Sequence, residues 1–411
     1  MSSNQNDGGL EIIPFQIVNQ SGLNAPLYVW IQGIIPDKKP NEYVYVNDLK
    51  GNVADMPKSS AKATFSMLLP EKDTMLALPR LVSLRIYLSF GDQLFTTTSA
   101  DGNPVSPSGW SPGDPVQGGN YAKLWDYFEL TWTRDNPTTT ALGANLTQLD
   151  FFGLPLQLDN YGYKPDLKTP EHLKTGFEGN ARSTILKTIN GLGEPWNKLV
   201  LPDLNPAFPG IPLRVFSPYH AMELDLFPQN QLEAYIDRVW TYYTKKNLRV
   251  TVNGREYTGL VHTDGPTKDL FVFEPPTGSG LQPVKIMNPN KNGRVGFISG
   301  SKDVYECQIQ LDVVPPEPLS ADAADIARDL GAGFLRSTLG VGVDLDTLPA
   351  CDQVGQYYRH EPIDMYAAIL HENAILQKAY AFGYDDVCEQ SSVGITKNPS
   401  KLALTVHPLA S

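Results

Sequence analysis

The chain of 411 residues has only three cysteines, Cys307, Cys351 and Cys388, too few for a disulfide framework and without the CxxC spacing of zinc or redox sites. At most one bridge can form. None of its six histidines makes an HExxH pair: His371-Glu372-Asn373 lacks a second histidine at the right spacing, which excludes a zincin. Basic residues are in deficit, 33 against 45 acidic ones, for a formal charge of −12. Nucleic acid and anionic membrane both need a basic face, so neither is an expected partner, while a neutral sugar polymer stays open. No apolar run approaches the roughly 18 residues of a membrane span, and Met1 to Gly9 is polar, without the basic and apolar stretches of a signal peptide. Walker loops and GxSxG elbows are absent. Gly331-Ala-Gly-Phe-Leu-Arg336 begins like a dinucleotide loop, but it lacks a third glycine and falls in a helical stretch, where small residues serve close packing. No cofactor and no metal are expected. By elimination, any chemistry rests on carboxylates.

What is present is a globular composition. Hydrophobic residues make up 41% and charged residues 19%, which excludes a disordered chain, and 34 glycines with 34 prolines require many turns. The length suits two or three domains, or one large domain with an insert. Strands are expected at 12–19, 27–33, 42–47, 63–69, 81–90 and 124–133, runs rich in Val, Ile, Tyr, Phe and Thr between turn residues. After about Asn160 the period turns helical. Thr169-Pro-Glu-His predicts a capped helix running to Ile189, and helices follow at 228–246, 320–338 (with Ser320 as cap) and 365–377. Between them a hairpin turns at Asn253-Gly254. Strand character returns at 379–384 and 402–407. These patterns give a β domain over 1–165, completed by 378–411, with a mixed α/β domain inserted over 166–377.

The acids of interest lie between Trp125 and Phe152. On an extended strand Phe128, Leu130 and Trp132 share one face, and Trp125, Tyr127, Glu129 and Thr131 share the other. If the first set is core, Glu129 faces out among aromatics. With an eleven-residue loop over 134–144 and a second strand over 145–152, Glu129 stands roughly level with Asp150. Alternation leaves open which face of that second strand is buried. Cross-strand neighbours have Cβ atoms about 4.5 to 8 Å apart, within side-chain reach of the roughly 6.5 to 9.5 Å carboxyl separation of an inverting glycosidase. Two acids on a hairpin are also what a solvated sheet face presents.

Glu129-Leu-Thr followed by Ala144-Asn-Leu-Thr-Gln-Leu-Asp150-Phe-Phe-Gly-Leu-Pro-Leu156 resembles the catalytic segment of glycoside hydrolase family 64, the β-1,3-glucanases that release laminaripentaose. Ile13-Pro-Phe-Gln-Ile-Val-Asn-Gln-Ser-Gly22, Tyr28-Val-Trp-Ile-Gln-Gly33, Tyr235-Ile-Asp-Arg-Val-Trp240, Phe334-Leu-Arg-Ser-Thr-Leu339, His371-Glu-Asn-Ala-Ile375 and Tyr380-Ala-Phe-Gly-Tyr-Asp-Asp-Val387 match further blocks of that family in order. The resemblance implies a mainly β fold, a thaumatin-like β-sandwich or barrel domain with a mixed α/β domain, forming a wide groove for a β-1,3-glucan chain. It implies Glu129 as general acid, Asp150 as general base, inversion at the anomeric carbon, and groove hydroxyls at Thr131 and Thr147. An extracellular monomer acting on polysaccharide is the corresponding expectation. Thr133 stands where the pattern has asparagine, Leu335 likewise, Leu376-Gln377 where it has Asp-Gly, and Gly383 where it has proline.

Around this core of the resemblance other residues have two readings each. Trp125 and Tyr127 either stack on sugar rings or cover the barrel. Tyr384, Asp385 and Asp386 either line the groove or serve a turn. Arg336 reads as the partner of a buried carboxylate, and His371 and Glu372 as helix-packing residues. The rival to an endo-β-1,3-glucanase is a non-hydrolytic β-1,3-glucan-binding or thaumatin-like antifungal protein that keeps the acids.

Overall fold

The computed structural model describes residues 5, 9–36, 42–107, 112–113, 117–291, 300–309, 321–341 and 345–409. In chain order the first elements are β1 (Ile12–Asn19), β2 (Leu27–Ile34), β3 (Tyr43–Val46), β4 (Val53–Asp55), β5 (Met67–Leu68), β6 (Asp73–Pro79), β7 (Val82–Phe90), β8 (Leu124–Asn136), β9 (Thr139–Asn145), β10 (Phe151–Phe152), β11 (Leu156–Tyr163), β12 (Pro170–Gly176), α1 (Ala181–Gly191), β13 (Val200–Leu201) and β14 (Arg214–Phe216). Then come α2 (Pro218–Glu223), α3 (Glu233–Tyr242), β15 (Leu248–Val252), β16 (Arg255–Val261), β17 (Phe271–Glu274), β18 (Val284–Ile286), α4 (Gly300–Tyr305), α5 (Ala321–Leu335), β19 (Thr347–Leu348), α6 (Met365–Asn373) and β20 (Val393–Val406). The chain forms two compact units: Met1–Phe216 with Leu370–Ala379 and Ser392–Ser411, and Ser217–Ile369 with Tyr380–Ser391.

The first unit is built on a twelve-stranded mixed sheet in the order β12-β11-β20-β9-β8-β7-β2-β3-β4, with β1 beside β20 and β6, and β5 beside β2. This is the thaumatin-like barrel. Its interior follows from two-residue alternation, which buries Ile13, Phe15 and Ile17 of β1 and Phe128, Leu130 and Trp132 of β8. Phe15 meets Phe128 edge to face at 6.4 Å. The first and last strands run parallel, Phe15 opposite Leu402 and Asn19 opposite Val406. The second unit is the mixed α/β part. Its sheet, β18-β17-β16-β15-β19, packs against α3 and α5 through Tyr235, Trp240, Phe271 and Phe334. Asn253 and Gly254 turn the β15–β16 hairpin with φ of 50° and 73°, the left-handed pair that such a turn requires.

Several expectations are corrected. The helix predicted from Thr169 is instead the strand β12, antiparallel to β11, and the helix starts only at Ala181. The Thr-Pro-Glu signal is outweighed by a cross-strand partner: His172 stacks on Tyr161 at 4.2 Å and its Nε2 bonds Asp159 at 2.6 Å. Residues 379–384 are a turn and not a strand, curled so that the Ala381 amide donates to the Asp385 carboxylate at 3.0 Å. Of the strand expected over 63–69 only Met67–Leu68 forms, while β6 had no sequence-level counterpart. The helix over 320–338 is found as α5, and its proposed cap, position 320, lies outside the described residues. Gly331 and Gly333 do serve close packing: a Cβ on them would meet Cys307 at 3.3 Å and Leu339 at 3.1 Å. Leu376 and Gln377, in place of Asp-Gly, sit in the left-handed region at φ of 58° and 57°.

Candidate active site

The site begins with β8. Its alternation holds along the strand, but its outer face is divided. At the N-terminal end Trp125 is fully buried beneath Phe151, 4.8 Å away and edge to face, and beneath the Arg214 guanidinium, 5.3 Å from the ring. Tyr127 is covered likewise, at 8% exposure. From Glu129, with 35% of its side chain exposed, the face is open, and Thr131 and Thr133 are exposed.

The hairpin that carries the acids differs from the expected one. β8 continues to Asn136, the chain turns at Pro137-Thr138, and β9 starts at Thr139, so the long loop over 134–144 is mostly strand. The Asn136 carboxamide accepts from the Thr138 amide at 3.0 Å, a side-chain-closed turn that β-branched Thr139 and Thr140 then extend. The register therefore sets Asn145 opposite Glu129, not Asp150. Beyond Asn145 the chain leaves the sheet and returns as β10, which pairs with β14 in a small sheet of its own. Asp150 reaches the open face from that crossing segment.

What joins the acids is Tyr127. Its hydroxyl donates to Asp150 Oδ2 at 2.7 Å, and it lies two residues before Glu129 on the same strand face. Burial, and then the charges of Asp150 and Glu129, push the Tyr127 phenol well above its usual range, so it remains a donor. On the other side, Arg85 of β7 stands directly opposite Glu129 and its Nε donates to Glu129 Oε1 at 2.7 Å. Burial opposes the Arg85 charge, but Tyr87, Glu129 and Tyr127 outweigh it and hold the guanidinium protonated.

Behind the acids, Asp126 points to the other face of β8. It accepts from the amides of Tyr127, Gly153 and Leu154, each at 2.8 Å, and so ties β8 to the segment following Asp150. Burial pushes its carboxyl up to about 7 against those three donors. Arg182 completes the anchor, donating to the Gly153 carbonyl at 2.7 Å.

Of the residues singled out from sequence, the structure brings Glu129, Asp150 and Tyr127 together and leaves Thr131 exposed beside them. Thr147 is buried at 1% exposure, where its hydroxyl accepts from the Leu149 amide, so it is a turn residue and not a groove hydroxyl. Trp125 is fully buried and covers the barrel, its indole N–H donating to the Asn120 carbonyl at 3.0 Å. Asp385, fully buried in the second unit, pairs with Arg336 at 3.2 Å; the turn reading holds for it, and the carboxylate partner expected for Arg336 is found. Tyr384 lies under the Arg328 guanidinium at 4.5 Å and Asp386 is exposed. Cys351 and Cys388 form the one bridge, and Cys307 is free and buried. Among the described residues no group of three or more His, Cys, Asp and Glu side chains is placed to hold a metal ion. Arg85 was missed by sequence reasoning. Its signal was a lone cation inside the apolar run Leu84–Leu88.

A thaumatin-like barrel with an appended α/β unit, bearing two acids at the open end of one strand face, defines a class of carboxylate site on a β scaffold. The sequence profile of the glycoside hydrolase family 64 β-1,3-glucanases matches residues 11–406, and the chain belongs to that family. It is 25% identical over 405 residues to a glucan endo-1,3-beta-glucosidase of Cellulosimicrobium cellulans, covering 96% of this chain and spanning 65% of the length of that curated relative. Among solved structures, a laminaripentaose-producing β-1,3-glucanase in complex with laminaritetraose is similar at a TM-score of 0.77, with 24% identity over 97% of this chain and 99% of the other. A family 64 β-1,3-glucanase domain from Clostridium beijerinckii is similar at 0.69, with 20% identity over 98% and 100% of the two chains.

Proposed function

We propose that the chain is an endo-β-1,3-glucanase that cleaves β-1,3-glucan with inversion, Glu129 acting as general acid and Asp150 as general base. The observation that supports this reading is the hydrogen bond to Asp150 from Tyr127, a residue on the same strand face as Glu129, in a member of this family. In the proposed step the Asp150 carboxylate, oriented by the Tyr127 hydroxyl, takes a proton from water as that water attacks the anomeric carbon. Glu129 gives its proton to the leaving glycosidic oxygen. Arg85 engages Oε1 of Glu129, which leaves Oε2 as the oxygen that addresses the sugar linkage. Polymeric substrate and the Cys351–Cys388 bridge both suit an oxidising, extracellular setting.

Incubation with laminarin or curdlan tests the reading. The wild type is expected to release short laminari-oligosaccharides whose new reducing ends are α by NMR. Glu129→Gln and Asp150→Asn should each lower kcat by about 10²- to 10⁴-fold. Binding of laminarin without any release by the wild type would replace the hydrolase with a glucan-binding protein.

A further inference from the structure

We propose that Asp126 is a positioning residue for the general base: together with Tyr127 it holds Asp150 from two sides, by its side chain and by its main chain. The inference rests on the hydrolase reading of Asp150 and deepens it. Asp126 is buried at 3% exposure on the strand face of Phe128, so it acts through its neighbours and not by contact with substrate.

The contacts close into a ring. The Tyr127 hydroxyl donates to Asp150 Oδ2 at 2.7 Å, and the Tyr127 amide donates to Asp126 Oδ1 at 2.8 Å. Asp126 Oδ2 accepts from the amides of Gly153 and Leu154, each at 2.8 Å. From Gly153 the chain runs back through Phe152 and Phe151 to Asp150. Those two phenylalanines are β10, pinned opposite Val215 and Phe216 of β14, so the link has no slack. One dipeptide therefore fixes the base at its tip and at its root. The root matters because the Asp150 backbone arrives from outside the main sheet, and a displacement of about 1 Å at a reacting group costs on the order of 10²-fold in rate.

The local sequence is fitted to this hold. A Cβ at position 153 would run into the Trp125 carbonyl oxygen and stand 3.3 Å from Asp126 Oδ2, so the close approach requires glycine. Arg182 donates to the Gly153 carbonyl at 2.7 Å while Asp126 takes the Leu154 amide, which grips one peptide unit on both edges. Arg182 and Arg214, both fully buried, are the cations whose charges act on Asp126. A carboxylate has two acceptor oxygens for the three amides; a carboxamide has one, and its nitrogen would set a donor against donors.

The test compares Asp126→Asn with the wild type. On laminarin, kcat should fall about three- to tenfold, the effect of one lost hydrogen bond, with KM within about twofold. The urea midpoint at pH 7.5 should not fall. Hydrogen exchange read by mass spectrometry should quicken in peptides covering 125–129 and 150–155. Gly153→Ala should lower kcat further, about ten- to a hundredfold, and if it does not fold, Asp126→Asn decides alone. Unchanged kcat in Asp126→Asn overturns the positioning role, as does a loss of kcat matched by a fall in the urea midpoint, which marks a merely structural residue. Unchanged exchange overturns the hold itself. Laminarin cleavage by the wild type is read separately: its absence removes the hydrolase reading and leaves hydrogen exchange to decide the hold on Asp150.

Discussion

The two halves of β8 carry the same alternation and come to opposite ends. From Leu124 to Phe128 both faces are covered, one by the barrel interior and the other by Phe151 and Arg214. From Glu129 to Thr133 the inner face stays covered, at Leu130 and Trp132, while the outer face opens. The first half is thus a core strand and the second a sheet surface. The acid sits at the first uncovered position, with Tyr127, the last covered one, reaching across to Asp150. Buried Tyr127 holds the Asp150 carboxylate and the part-exposed Arg85 holds that of Glu129, as a preorganised site requires.

The contrast is broken most strongly by single changes on either side. Glu129→Gln, on the open side, should remove 10²- to 10⁴-fold of glucan cleavage and move the urea midpoint little, because its side chain and that of its partner Arg85 are both part-exposed. Arg214→Met, on the covered side, should do the reverse. Arg214 is fully buried, lies 4.7 Å over Phe151, and donates to the carbonyls of Tyr121 and Lys123, so its loss should lower unfolding stability by about 3 to 5 kcal/mol. If the two variants shifted activity and stability alike, the boundary at Glu129 would have no meaning.

Next in size is a pH effect from Asp126. Burial raises its folded carboxyl to about 7 from an ordinary value near 3.9, so the folded state keeps a proton that the unfolded chain has released. Its favourable contribution is complete below about pH 4 and is lost as pH climbs to about 7, on the order of 4 kcal/mol across that window. Relative to wild type, Asp126→Asn should gain stability over the same window. Denaturation curves at pH 4.5 and 7.5 check this, and parallel curves for the two proteins would refute it.

Tyr127→Phe probes the boundary itself. The ring and its packing on Tyr87 remain, and only the bond to Asp150 goes, so kcat should fall roughly ten- to a hundredfold. The thermal midpoint should move little. Thr133→Asn, the smallest change, restores the residue of the resembled pattern at an exposed position. It should leave stability within about 0.5 kcal/mol, with any effect confined to a few-fold change in KM for laminarin.

Much of this was legible in the residues. The barrel face of Phe128, Leu130 and Trp132 follows from alternation, because a half-covered strand repeats every two residues. The pairing partner of Glu129 did not follow, since register depends on where the chain turns. Asn136-Pro137-Thr138 offered a tight turn, but three threonines read equally as loop. Asp150 arrives from outside the sheet, and no local period encodes a crossing segment. The helix expected from Thr169 failed for a more local reason: sound capping residues were overridden by hairpin pairing with the strand just before, where Tyr161 and Asp159 engage His172. Arg85 is opposite Glu129 only through a pairing 44 residues long-range. The Arg336–Asp385 pair could be anticipated in kind, a buried cation seeking a carboxylate, though not in partner.

The final strand has a consequence for how the molecule is made. β20 is the common neighbour of β1, β9 and β11, joining the first strand of the chain to two from its middle. A nascent chain emerging from the ribosome must hold those three edges unpaired until β20 has been delivered, the exposure that invites edge-to-edge aggregation. Closure of the barrel therefore waits for β20, and the acid on β8 gains a fixed frame only when β20 locks beside β9.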